Sequence, residues 1–297
     1  MKYAAFTLPG QPGAVRVGEI SADGSAVLEL DLGVDVSESG VVAILNAQRA
    51  GKLPAGHAAR HAISDVRLLA PIPRPRRNVF CVGKNYFEHA REFAGSGFDT
   101  SVTKPGDDIP TDPIIFTKVP ECVIAPGAPI GIPPDVSTAI DYEAELAVII
   151  GEGGRRIPES QAMAHVWGYT IVNDVTARDW QHRHKQWHMG KSFDTFCPMG
   201  PWVVTADACN GQDTTVRCWV NGELRQNAST RDLIFKIPRL IATISAGMTL
   251  LPGDIIATGT PVGVGIGFKP PRYLVPGDRV RIAIDGIGEI ENPCEAS

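Results

Sequence analysis

Ile140-Asp141-Tyr142-Glu143-Ala144-Glu145-Leu146-Ala147-Val148-Ile149-Ile150 begins acidic and ends apolar. In an extended strand successive side chains point to opposite faces, so Glu143 and Glu145 share a face with Ala147 and Ile149. The half from Leu146 to Ile150 is apolar on both faces, the pattern of a strand running into a protein interior. Two carboxylates entering such a region repel each other and lose hydration unless something positive compensates them. A divalent ion is the simplest compensator, and all-oxygen ligation points to Mg²⁺, Mn²⁺ or Ca²⁺ and away from zinc. The competing reading is a strand whose acidic end emerges into solvent.

A third acid bears on that choice. Trp167-Gly168-Tyr169-Thr170-Ile171-Val172-Asn173-Asp174-Val175-Thr176 is rich in aromatic and β-branched residues and predicts a second strand, with Asn173-Asp174 in its middle. Aspartate is depleted from strand interiors, so Asp174 needs a reason to be there. If the two strands are neighbours, Glu143, Glu145 and Asp174 form an open triangle of carboxylates with positions left for water or substrate.

Outward from these strands, the chain from about residue 113 is dominated by strand-like runs punctuated by proline and glycine. Leu251-Pro252-Gly253-Asp254 and Val275-Pro276-Gly277-Asp278 each read as a turn leading into a strand. Residues 85–93 predict a helix, and 95–112 a long polar loop of the kind that forms a lid or binding loop. Residues 1–35 alternate around Pro12-Gly13 and Asp23-Gly24, suggesting short antiparallel strands. Short helices are expected over 41–48 and 55–62, followed by a stiff connector, Pro71-Ile72-Pro73-Arg74-Pro75-Arg76-Arg77. The expectation is an α+β, β-rich protein: a small N-terminal α+β domain over 1–72 and a larger β-rich domain over 73–297.

Bulk properties narrow the function classes. The chain has 297 residues, 43% hydrophobic and 21% charged, which is ordinary for a globular enzyme. A net charge of −5 and a pI near 5.8 argue against nucleic acid or an anionic membrane as partner. No apolar stretch reaches membrane-span length, and the first ten residues, broken by Pro9, do not read as a signal peptide. Six scattered cysteines with no CxxC pair therefore read as reduced thiols in a cytoplasmic protein. Cys197 has no base tied to it in sequence and reads as a small buried hydrophobe.

His89 and Glu92 lie three apart on the expected helix, on one face. A carboxylate beside an imidazole raises its basicity and fixes its tautomer, as a water-activating base requires. The plainer account is two solvated residues on a surface helix. Lys191 in His188-Met189-Gly190-Lys191-Ser192 lacks the upstream glycine of a P-loop, and Gly263, Gly265 and Gly267 do not make a dinucleotide fingerprint. His182, His184 and His188 have zinc-compatible spacing but no cysteine or acidic partner nearby.

Taken together the motifs resemble the fumarylacetoacetate hydrolase family. They are Gly83-Lys84-Asn85-Tyr86-x-x-His89-x-x-Glu92, Asp141-Tyr142-Glu143-x-Glu145, Gly168-Tyr169-x-x-x-Asn173-Asp174-Val175-Thr176-Ala177-Arg178-Asp179, Gly190-Lys191-Ser192-Phe193-Asp194-x-x-x-Pro198 and Gly259-Thr260-Pro261-x-Gly263-Val264-Gly265. The resemblance covers about residues 78–294 in the expected order. It implies a mixed β-sheet roll with Mg²⁺ or Mn²⁺ held by Glu143, Glu145 and Asp174. It also implies a His89–Glu92 pair on a lid, Lys191 against substrate, substrate contacts from Gln181, Thr260 and Tyr86, and a homodimer. The activity it implies is hydrolysis of a C–C bond in an acylpyruvate-type 2-oxo acid, with the ion stabilising the departing enolate and His89 activating water. The alternative is a decarboxylase or isomerase of oxaloacetate- or hydroxydienoate-type acids, which uses the same enolate without hydrolytic water. A non-catalytic small-molecule-binding protein on the same fold is the reading from a different class.

Overall fold

Every residue of the Ala144–Ile150 strand is buried, because the strand is hydrogen-bonded along both edges and covered on both faces. Val166–Asn173 lies antiparallel on one side, with Ala144 opposite Asn173, and Ile255–Ala257 lies on the other. The computed structural model, which describes residues 1–97 and 108–297, extends a twelve-stranded sheet from this centre. In one direction follow Cys197–Thr205, Lys2–Thr7, Arg16–Ile20, Ala26–Glu29 and Ala59–Ala62. In the other, beyond Ile255–Ala257, follow Val79–Gly83 and Ile114–Lys118. Ile255–Ala257 and Val79–Gly83 are parallel while their other neighbours are antiparallel, so the sheet is mixed.

A five-stranded sheet, Glu223–Ser229, Thr215–Val220, Arg279–Ile284, Gly288–Ala296 and Ile130–Ile132, lies beside it. Trp202 of the large sheet donates its indole N–H to the carbonyl of Ile287, in the turn joining Arg279–Ile284 to Gly288–Ala296 (2.7 Å). Both proline turns lead into strands as expected, and they share one device. The Asp254 carboxylate accepts the Leu251 N–H (2.7 Å) and the Asp278 carboxylate accepts the Val275 N–H (2.9 Å). The architecture is α+β and strand-rich.

The first 72 residues supply the expected antiparallel strands and a helix, Val42–Arg49. Lys2 and Tyr3 pair with Val204 and Val203, so these strands continue the large sheet. Tyr3, Val17, Ile44 and Ile72 join the same buried cluster as Leu146 and Ile149. The helix expected over 55–62 is not formed. Ala59–Ala62 is instead a strand paired with Ala26–Glu29, because that strand offers a ladder edge and Pro54 and Gly56 break any longer helical run. A longer helix, Ile237–Gly247, interrupts the strand-dominated second half. It starts with a proline in its first turn and buries Ile237, Leu240, Ile241 and Ile244, one stripe at helical spacing.

Candidate active site

The acidic strand breaks where the carboxylates begin. Ile140–Asp141 pairs with Thr176–Ala177, and the main ladder resumes only at Ala144. Between them the Glu143 N–H is taken by the Asn173 side-chain carbonyl (3.0 Å), and the Asp174 N–H by the Glu143 carbonyl (2.9 Å). Asp174, expected in mid-strand, thus sits just past the end of Val166–Asn173. This crossover resolves the conflict between an aspartate and a regular ladder, since its backbone leaves the sheet there. The three side chains still converge: one carboxylate oxygen each from Glu143, Glu145 and Asp174 lies within 4.8 Å of the others, and all three residues are buried. The solvent-facing reading of the acidic end is thereby excluded.

Three buried cations meet these acids. Lys191 donates to Glu143 Oε2 (2.7 Å) and to Asp174 Oδ2 (2.8 Å). Arg178 reaches Glu143 Oε1 (2.7 Å) and Asp141 Oδ2 (2.9 Å). Lys118 donates to Asp174 Oδ1 (2.7 Å), to the Val175 carbonyl (3.0 Å) and to the Lys191 carbonyl. Burial alone would raise the Glu143 carboxyl, but Lys191 and Arg178 outweigh it and hold the group below its ordinary range. Burial works against the Lys118 ammonium too, and the Asp174 charge overrides it, pushing the group up. Glu145 fares differently. Burial first, then the charges of Asp174 and Glu143, push its carboxyl well above the usual range. Among the described residues its carboxylate accepts one hydrogen bond, from the Gly259 amide (2.8 Å).

Three hard oxygen donors converging on one point, one of them short of positive charge, fit a divalent oxygen-seeking ion. Glu143, Glu145 and Asp174 are the residues that would hold it. Among the described residues they form the one group of histidine, cysteine or acidic side chains with such convergence.

His89 and Glu92 lie on the Phe87–Ala94 helix, and His89 Nδ1 stands 3.1 Å from Glu92 Oε2. The pair is not solvated, because His89 is 4% exposed. Glu92 is pinned by the Gly263 amide (3.0 Å), and Gly267 approaches so closely that a Cβ there would come within 2.0 Å of Glu92 Oε1. His89, Gln181, Lys191 and Thr260 line one pocket together with Glu143 and Glu145. Thr260 is oriented by the Gln226 amide (2.8 Å). Tyr86 is not among the lining residues; its buried hydroxyl has no hydrogen-bond partner among the described residues.

Sequence reasoning passed over three cations. Lys118 ends the Ile114–Lys118 strand and was hidden in an apolar run; Arg178 stood inside a quoted motif without a role. The Arg178 Nη2 is buried, without a hydrogen-bond partner among the described residues, on a side chain that lines the pocket. Lys84 lines it as well. The lid expected over 95–112 falls largely on residues 98–107, outside those described. The six cysteines are buried free thiols, and Cys197 is held up by a hydrogen bond with Cys122 and by burial, as a packing residue should be. His184 packs on Trp180, and His188 Nδ1 faces the Thr117 carbonyl (3.1 Å), so these histidines do not converge on a metal. No helix of the described residues is long and apolar enough to cross a membrane.

Comparison with known proteins places this geometry. A model of the fumarylacetoacetate (FAA) hydrolase C-terminal region matches residues 78–295. An oxaloacetate tautomerase of Bacillus subtilis (strain 168) is 50% identical over 233 residues, 78% of this chain and 74% of its own. The solved fumarylacetoacetate hydrolase of psychrophilic Exiguobacterium antarcticum superposes with a TM-score of 0.82 at 40% identity, covering 100% of both chains. The maleylpyruvate hydrolase of Sphingobium sp. SYK-6, solved with manganese(II) and pyruvate, gives 0.76 at 32% identity, again over 100% of both chains. Shared motifs, shared sheet and extended identity have one explanation: this chain belongs to the fumarylacetoacetate hydrolase family.

Proposed function

We propose that the protein is a divalent-metal-dependent tautomerase of oxaloacetate-type 2-oxo dicarboxylic acids, moving a proton between C3 and the 2-oxo oxygen. The observation that carries this reading is one pocket lined by Glu143, Glu145 and buried His89, with Asp174 completing the acid cluster and Glu92 engaging the imidazole. The 50% identity with an oxaloacetate tautomerase favours proton transfer over the C–C hydrolysis expected from the motifs. The hydrolytic reading keeps support from the likeness to two solved proteins named as hydrolases, a fumarylacetoacetate hydrolase and a maleylpyruvate hydrolase. When bound, Mg²⁺ or Mn²⁺ supplies a Lewis acid for the 2-oxo and carboxylate oxygens.

The chain's own residues do the rest. With Nδ1–H donating to Glu92, the Nε2 of His89 is the basic nitrogen that takes the C3 proton. Glu92 stabilises the imidazolium that results, and its anchoring by Gly263 keeps the ring from turning. Lys191 adds positive charge beside the acids, where negative charge develops on the substrate oxygen. Arg178 directs its unpartnered Nη2 at a substrate oxygen, while Gln181 and Thr260 fix its orientation. Burial excludes the water that would otherwise protonate the enol at random. The same reading takes the assembled form to be a homodimer and treats residues 1–72 as an accessory domain to the catalytic one.

The decay of enol-oxaloacetate, followed by ultraviolet absorbance with and without Mn²⁺ or Mg²⁺, tests this directly. Acceleration beyond the metal-only background, abolished by EDTA, is expected. No acceleration of enol decay, with rapid metal-dependent cleavage of an acylpyruvate in a parallel assay, would hand the case to the hydrolase.

A further inference from the structure

The pocket lining is of two kinds, and they are held very differently. The polar groups are fixed: Glu143 by Lys191 and Arg178 (both 2.7 Å), Glu145 by the Gly259 amide (2.8 Å), Thr260 by Gln226 (2.8 Å) and His89 by Glu92 (3.1 Å). Beside them stand three rings, Phe93, Phe116 and Trp187. The Trp187 ring packs edge-on against Phe116 (centroids 5.3 Å, 65° between planes) and Phe93 (6.0 Å, 75°). Lys191 Nζ lies 4.8 Å from the Phe116 centroid, and the Arg178 guanidinium 5.7 Å from that of Phe93.

The cavity between these groups measures about 10 Å³, room for about one water molecule. A 2-oxo acid therefore gains its space by displacing part of the wall. The polar lining resists, because a shift there leaves a buried charge or donor unpaired. Phe93 is 3% exposed on the Phe87–Ala94 helix and packs with Val264 and Ile266, while Phe116 is held in the Ile114–Lys118 strand opposite Cys81. Trp187 differs from both. It is half-buried and sits in the turn between the Arg178–Arg183 and His188–Lys191 helices. Its ring rests on bare backbone at Gly83, where a Cβ would come within 2.2 Å of it.

We infer that Trp187 is the specificity-determining residue of the pocket: its ring yields to a short substrate tail and bars a bulky one. This rests on the reading of the pocket as a 2-oxo acid site. In such a substrate the carboxylate and the 2-oxo oxygen belong at the acid cluster, so the rest of the molecule meets the aromatic lining. A short tail asks the ring only to tilt within its edge contacts. A bulky tail drives it off Phe93 and Phe116 together, forfeiting both contacts and the dispersion they carry.

Calorimetric titration of the Mn²⁺-loaded protein with oxamate and N-benzyloxamate tests the assignment. Both are unreactive chelators with a 2-oxo acid head, and they differ only in the tail. The wild type should bind oxamate about tenfold or more tightly than N-benzyloxamate. W187A should shrink that ratio about tenfold or more by gaining affinity for the benzyl ligand, and W187F should fall between the two. The change in tryptophan emission on oxamate binding should be lost in W187F. An unchanged ratio in both variants, or equal losses for both ligands, overturns the assignment. If W187A does not fold, a W187F protein that keeps the wild-type ratio, or a wild type that binds the two ligands equally, defeats it. Failure of the wild type to bind oxamate at all would remove the 2-oxo acid reading and this assignment with it. Tail selectivity that relaxes in W187A, in a protein that fails to accelerate enol decay, would sink the tautomerase reading alone and leave Trp187 in its role.

Discussion

The His89–Glu92 pair shows what a single side chain contributes here. The imidazole is buried, its Nδ1 is engaged by Glu92, and Glu92 is itself held by Gly263. A general base so placed typically contributes about 10²–10⁴-fold. His89→Ala should slow enol decay by that factor while Mn²⁺ affinity, measured by calorimetry, stays unchanged. A variant with wild-type rate would show that the proton moves elsewhere. Lys118 makes a different prediction, because it does not line the pocket itself and acts through Asp174 and the Lys191 carbonyl. Lys118→Met leaves a buried carboxylate with one cation fewer, and breaking a buried pair costs about 3–5 kcal/mol. Urea denaturation should register that loss, and saturating Mn²⁺ should restore part of it, since the ion supplies charge to the same carboxylate. Glu143 and Glu145 were legible from alternation alone. Lys118 was not, because nothing in Ile114-Ile115-Phe116-Thr117-Lys118 says which distant acid its ammonium will meet.

At the level of elements, the apolar stretch from Leu146 to Ile150 announced a central strand and the structure contains one. The break at Tyr142–Glu143 was not announced, because it depends on Asn173 lending a side-chain carbonyl to a neighbouring strand. Residues 55–62 misled for a related reason: local composition favoured a helix, and the open edge of Ala26–Glu29 claimed the chain instead. The two short helices Arg178–Arg183 and His188–Lys191 bring Gln181 and Lys191 to the pocket, and Gly190 lets them touch. A Cβ at that position would lie 2.5 Å from the Gln181 nitrogen and 2.7 Å from the Ala177 carbonyl oxygen. Gly190→Ala should therefore cost about 1–3 kcal/mol of stability by overpacking. It should also depress the turnover rate, since Lys191 moves with its helix. Chemical denaturation and enol-decay kinetics on one preparation check both, and unchanged values in both would show that the contact is slack.

Across the whole molecule, the N-terminal strands and the acid cluster belong to one sheet and one core. Removing residues 1–72 would bare the Cys197–Thr205 edge where Lys2 and Tyr3 now pair. Such an exposed, apolar edge is an aggregation hazard. The 73–297 fragment should be insoluble or aggregated on size exclusion, and a monodisperse, active fragment would show that the catalytic part is self-sufficient. The ion should act on the same cooperative unit, because a ligand at a hundred times its dissociation constant adds about 2.7 kcal/mol to stability. Mn²⁺ should raise the melting temperature, EDTA should reverse the rise, and Asp174→Ala should abolish it. The ammonium of Lys118 has a further implication, for descent. It holds Asp174 and the Lys191 carbonyl at once, so Lys118 and Asp174 form a linked pair of characters that cannot drift independently. A lineage that abandons the acid at position 174 is left with an uncompensated buried charge until it also neutralises position 118. Relatives that have retired from metal chemistry can thus be picked out from their sequences, by the simultaneous loss of a lysine outside the pocket and an aspartate of the acid cluster.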